Sequence, residues 1–143
     1  MPTRTARTAW TGGLQDGSGQ VELASSGVGK YDVSFPKRSA DGTTSPEELI
    51  AAAHSSCYAM ALSAQIANAG GTPESLDVTA DVTLGPDPAG GFRITGIQLT
   101  VRGRVQGLDA DGFQAAAEAA KAGCPVSKAL AGVDSISLDA ALA

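Results

Sequence analysis

Apolar and polar residues alternate along two stretches in the middle of this chain. From Ser75 to Leu84, the residues Leu76, Val78, Ala80, Val82 and Leu84 fall on one side. From Phe92 to Val105, Ile97, Leu99 and Val101 alternate with Gln98, Thr100 and Arg102. A period of two predicts half-buried strands. The run Gly85-Pro86-Asp87-Pro88-Ala89-Gly90-Gly91 between them reads as a hairpin loop. Shorter strands are predicted over Thr3–Trp10, Gln20–Leu23 and Tyr31–Phe35, separated by turn chemistry at Gly12-Gly13 and Asp16-Gly17-Ser18-Gly19. Residues 36–44 read as an exposed connecting loop, and Val133–Leu138 as a last strand.

Between these strands the pattern loses its alternation. Ser45 is a suitable N-cap, Pro46 fits the first helical position, and Glu48 stands where a capping box needs its acid. The predicted helix runs to about Asn68 and stops at Gly70-Gly71-Thr72-Pro73. It is apolar or small on nearly every face, which predicts burial rather than a surface position. A second helix is expected from about Asp109 to Ala122, with Gly123 as its C-terminal stop. The order βββ-α-ββ-α-β is α+β, with antiparallel sheet covering central helices.

The length of 143 residues favours a single domain spanning 1–143, able to bury roughly 70% of its unfolded surface. Aromatics make up only 4%, so the core must be mostly aliphatic. A net charge of −5 disfavours nucleic acid and anionic membranes as partners, since both select a basic face. No apolar run reaches the ~18 residues of a membrane span, and the N-terminus lacks the apolar segment of a secretory signal. A cytoplasmic protein is the default expectation. Two cysteines are too few for a disulfide scaffold, so a bond between them would be transient and functional.

Cys57 lies within the predicted long helix. The thiolate is the reactive form, and burial on an apolar helix disfavours it. A nearby guanidinium reverses that balance, and Arg38, on the preceding loop, is the best-placed candidate. The alternative is that Cys57 is a small buried hydrophobe. Cys124 falls between Gly123 and Pro125, at a predicted N-cap where a helix dipole lowers a thiol pKa; otherwise it is an ordinary turn residue. Glu48 is explained by the capping box. Glu47 is either a partner that orients Arg38 through a two-point ion pair or a generic acid of a first helical turn. His54, one turn before Cys57, has the chemistry of a base or metal ligand. With one histidine, two cysteines and no C-x-x-C, a structural zinc site is disfavoured, and a hydrogen-bonded core or interface histidine is the favoured reading. No glycine-rich segment has the strand–turn–helix context of a nucleotide site, and no cofactor is called for.

Two segments then combine: Ser45-Pro46-Glu47-Glu48-Leu49-Ile50-Ala51-Ala52-Ala53-His54-Ser55-Ser56-Cys57, and Ala122-Gly123-Cys124-Pro125-Val126-Ser127-Lys128-Ala129-Leu130. Together they closely resemble the OsmC/Ohr family of osmotically inducible and organic hydroperoxide resistance proteins, and the His before the first Cys is similar to the OsmC branch. The resemblance covers essentially the whole chain. It implies an intertwined homodimer with antiparallel sheets wrapped around two long central helices and sites formed between subunits. It implies a thiol peroxidase acting on organic hydroperoxides, with Cys57 peroxidatic, Cys124 resolving, and Glu47 and Arg38 as the active-site acid and arginine. The loop from Arg38 to Pro46 is one residue shorter than is typical there. The resemblance also implies a dithiol reductant such as a lipoyl-bearing protein. The alternatives are a redox sensor or binding protein using the same cysteine pair without turnover, and a catalytically inert stress protein.

Overall fold

Short, polar strands joined by glycine turns form the first sheet. In a computed structural model describing residues 1–143, β1 (Arg7–Thr11), β2 (Ser18–Glu22) and β3 (Lys30–Val33) pair antiparallel in that order. β1 starts later than the predicted Thr3, and β3 stops short of Phe35. The chain turns there instead, with the Arg38 amide donating to the Phe35 carbonyl at 3.3 Å and the Ala40 amide to Lys37 at 3.0 Å. The loop then returns to the sheet. Thr44 bridges Val33 in parallel, and its amide donates to the Asp32 carbonyl at 3.1 Å. The segment read as an exposed connector is largely exposed, and its end at Thr44 lies beside β3. These strands belong to the first of two units, residues 1–49; the second is residues 50–143.

The long helix α1 (Pro46–Asn68) starts and ends as its sequence requires. Ser45 is buried, and its Oγ accepts the Glu48 amide at 3.1 Å. The reciprocal half of the capping box is absent: the Glu48 carboxylate accepts from the Thr44 hydroxyl at 2.6 Å instead. The end is a Schellman motif. Gly70 has φ +87°, its amide donates to Ala67 at 3.0 Å, and the Gly71 amide donates to Ile66 at 2.9 Å. A side chain at position 70 would be strained in that left-handed conformation.

Only one stripe of α1, His54, Tyr58, Leu62 and Ile66, is fully buried within the chain. The spacing of four places these side chains on one face. The opposite side, including Ala52, Ala53, Ser56, Met60 and Ala64, is exposed, Met60 by 72%. Burial on every face is thus not achieved by one chain.

In the second unit, β4 (Thr72–Pro86) and β5 (Phe92–Gln106) form the expected hairpin. The alternation holds: Ile97, Leu99 and Val101 are buried while Asp77, Thr79, Asp81 and Thr83 are exposed. β6 (Ile136–Leu142) pairs with β5 in parallel, so this sheet is mixed rather than antiparallel. The helices between β5 and β6 cause this, because they return the chain to the end of the sheet from which β5 started. They are α2 (Ala110–Gly123), capped by Asp109 through the Gly112 amide at 2.8 Å, and α3 (Pro125–Ala129). Only α1 is long, so the expectation of two long central helices is not met within this chain. No helix is long and apolar enough to cross a membrane.

The core of this unit joins Tyr58, Leu62 and Ile66 of α1 to Leu99 and Val101 of β5 and to Phe113, Ala116, Ala117 and Ala120 of α2. Gly103 is needed at the contact of β5 with α2. A Cβ there would lie 2.8 Å from the Phe113 ring.

Candidate active site

Arg38 and Glu47 meet within the first unit. Arg38 Nη2 donates to Glu47 Oε1 at 2.5 Å and Nε to Oε2 at 3.2 Å. Both side chains are largely sheltered from solvent. The folded-back loop and the first turn of α1 create this fork, which fixes the guanidinium plane in two directions. Phe35 lies beneath it, with the guanidinium carbon 5.4 Å from the ring centroid. Burial alone would raise the Glu47 pKa. The Arg38 hydrogen bonds and charge, the residue's own amide and the Ser45 hydroxyl outweigh that and hold it below the ordinary carboxylate range.

Beside Arg38 is an open apolar hollow of about 450 Å³, lined by Trp10, Leu14, Val33, Phe35 and Leu49. Trp10 and Leu14 remain exposed in the single chain.

The second unit brings the two cysteines together. Cys57 on α1 packs against the cluster that contains the fully buried Cys124, and each thiol acts on the ionisation of the other. Both are free. Cys124 is the residue between α2 and α3, with φ −59° and ψ 124°. Gly123 is not the left-handed stop expected of it; it is the last residue of α2 and has no positive φ. The break comes from Pro125, which disfavours helical geometry in the residue before it.

The electrostatics of the pair are unequal. Burial pushes the Cys57 thiol up, the Val126 amide acts against this, and Cys124 adds to the rise. For Cys124, burial is outweighed by the Ser127 amide, the Cys57 S–H, the Ser127 hydroxyl and the Val126 amide, so its thiol is pushed down. Within this chain the lowered thiol is Cys124, whereas the sequence pointed to a lowered pKa at Cys57 as well. None of the groups acting on Cys57 here is a cation. The cause at Cys124 also differs from a helix dipole. α3 has only five residues, and individual amides and one hydroxyl act on the sulfur.

His54 is fully buried, and its Nε2 lies 2.7 Å from Ser127 Oγ. This is the hydrogen-bonded core histidine favoured from the sequence. Ser127 carried no role in that reading. Its position, three residues after an N-cap, was the available signal.

Paired thiols on a mixed α+β scaffold, with a clamped arginine on the same chain, are the features of a cysteine-based protein. The chain belongs to the OsmC family: residues 39–139 match the model for OsmC-like proteins, beginning one residue after Arg38. It is 44% identical over 122 residues to peroxiredoxin OsmC of Escherichia coli (strain K12), covering 85% of each chain. It is 32% identical over 146 residues to organic hydroperoxide resistance protein OhrA of Bacillus subtilis (strain 168), covering 99% of this chain and 98% of OhrA. Among solved structures, the organic hydroperoxide resistance protein OsmC from Legionella pneumophila superposes with a TM-score of 0.76 at 29% identity, covering 97% of this chain and 98% of that one.

Proposed function

We propose that this protein is a thiol peroxidase that reduces organic hydroperoxides to alcohols. The observation that carries the reading is the meeting of Cys57 and Cys124 in a member of the OsmC family. The relatives named for peroxiredoxin activity and organic hydroperoxide resistance support the same chemistry.

The Cys57 thiolate attacks the distal peroxide oxygen. An S–O bond forms, the O–O bond breaks, and the leaving alkoxide takes a proton to become the alcohol, with Cys57 left as a sulfenic acid. Cys124 attacks that sulfur, the S–S bond forms, and the oxygen leaves as water. A dithiol reductant, such as a lipoyl-bearing protein, then restores both thiols. In the homodimer, whose sites the family resemblance implies are formed between subunits, the Arg38 guanidinium, held by Glu47, is the positive charge that favours the Cys57 thiolate and the charge developing on the peroxide. The apolar hollow beside Arg38 suits the alkyl part of an organic hydroperoxide better than hydrogen peroxide.

The working form is a homodimer in this reading. Met60 and the small residues around it on the open face of α1 form the apolar surface a second copy covers. Obligate interfaces of this kind bury about 2,000 Å² or more.

A second reading, a redox sensor cycling slowly between dithiol and disulfide, is favoured by one observation: burial raises the Cys57 pKa within the chain. Steady-state turnover separates the two. With dihydrolipoamide as reductant, cumene and tert-butyl hydroperoxide should be consumed catalytically and faster than hydrogen peroxide. Oxidation that stops after one equivalent per chain would favour the sensor.

A further inference from the structure

His54 and Ser127 form a buried pair that the peroxidase chemistry above leaves without a role. His54 is on α1, one turn before Cys57, and Ser127 is on α3, three residues after Cys124. Their side chains meet at 2.7 Å, with His54 fully buried and Ser127 8% exposed. The Lys128 amide donates to the Cys124 carbonyl at 3.0 Å, so residues 124–128 form a true helical turn. The Cys124 side chain makes no capping hydrogen bond in this turn. The Ser127 hydroxyl, paired with the imidazole, stands one turn from the thiol whose ionisation it favours.

The direction of the hydrogen bonds follows from the other ring nitrogen. His54 Nδ1 is buried and has no protein partner. A buried N–H without a partner is rarer than an unpaired acceptor. That argument assigns the proton to Nε2 and leaves Nδ1 as a bare lone pair. Burial keeps the ring neutral, consistent with a single ring proton. Nε2–H then donates to Ser127 Oγ, and the Ser127 O–H is free to donate to the Cys124 sulfur, the direction that favours the thiolate.

We infer that Ser127 is the hydrogen-bond donor that prepares Cys124 to attack the oxidised Cys57, and that His54 is the positioning residue that aims it. The inference rests on the peroxidase reading and adds the control of its second step. Cys124 gives up its proton and its thiolate attacks the Cys57 sulfenic sulfur. The S–S bond forms, the S–O bond breaks, and the departing hydroxide takes up a proton as water. The ionisable groups acting at this sulfur include Cys57 and Tyr58 of α1, with His54 behind Ser127.

The test separates the two chemical steps. One equivalent of cumene hydroperoxide is mixed with reduced protein, and sulfenic acid and disulfide are followed by quenched trapping and mass spectrometry. In Ser127→Ala the ratio of the disulfide-forming rate to the sulfenic-acid-forming rate should fall about tenfold, as expected for losing one hydrogen bond to a charged group. Ser127→Thr should restore most of it, and His54→Phe should reproduce the loss. The second readout is the ultraviolet thiolate absorbance of Cys124 in a Cys57→Ser background. Its titration should move to higher pH in both Ser127→Ala and His54→Phe, whereas a purely packing role would change stability and leave the titration in place. An unchanged rate ratio together with an unchanged titration in Ser127→Ala overturns the inference. If the unmodified protein forms neither sulfenic acid nor disulfide, the peroxidase reading fails, and the Cys124 titration still decides whether Ser127 acts on that sulfur.

Discussion

Arg38 and Glu47 are joined at two points, Nη2 to Oε1 and Nε to Oε2, while Glu48 gives its carboxylate to Thr44. Two adjacent acids thus have separate tasks. Glu47→Ala should leave the guanidinium free to rotate and slow alkylation of Cys57 at neutral pH; Arg38→Ala should slow it more. Glu48→Ala removes only an exposed bond to a hydroxyl, costing about 0.5–1.5 kcal/mol at most, and should leave alkylation near its normal rate. Iodoacetamide kinetics on the three variants check this. Loss of reactivity in Glu48→Ala alone would reverse the assignment.

The cap itself belongs to Ser45. Ser45→Ala should cost about 1 kcal/mol of stability by freeing the Glu48 amide, measured as a lowered urea midpoint at unchanged m-value.

Much of this architecture was legible in the residues. The Ser45-Pro46 start and the Gly70-Gly71 end of α1 use local backbone chemistry, which short sequence windows contain. The alternation in β4 and β5 reported a hairpin for the same reason. The parallel pairing of β6 was not legible, because its direction depends on where α2 and α3 return the chain. Gly123 was misread as a stop because a glycine beside a proline offers two causes for one break, and the proline acts here. Nothing local to Ser127 reveals the imidazole facing it. That contact joins residues 73 positions apart.

Acid should weaken the protein through two groups. The Glu47 carboxyl titrates below its ordinary value, so its contribution is full at neutral pH and is lost as pH falls below about 4. His54 is held neutral by burial, so its folded pKa also lies below its unfolded one. Its contribution is complete above about pH 6.5 and declines as the unfolded chain gains the proton first. Urea midpoints between pH 8 and pH 5 should therefore fall in the unmodified protein. The fall over that range should be smaller in His54→Phe. An equal fall in both would show that His54 is not a buried neutral group.

The open face of α1 yields a test of assembly. Sedimentation at micromolar concentration should show a dimer without monomer. Met60→Glu places a charge on the exposed apolar surface and should release monomers. A stable monomer of the unmodified chain would remove the explanation for that face.

The most direct measurement is peroxide turnover by the unmodified protein and by Cys57→Ser, with cumene hydroperoxide as substrate and a dithiol reductant. The expected result is catalytic consumption by the first and none by the second, with the far-ultraviolet circular dichroism of both unchanged. Full activity in Cys57→Ser would contradict the account, because no other residue is assigned to attack the peroxide.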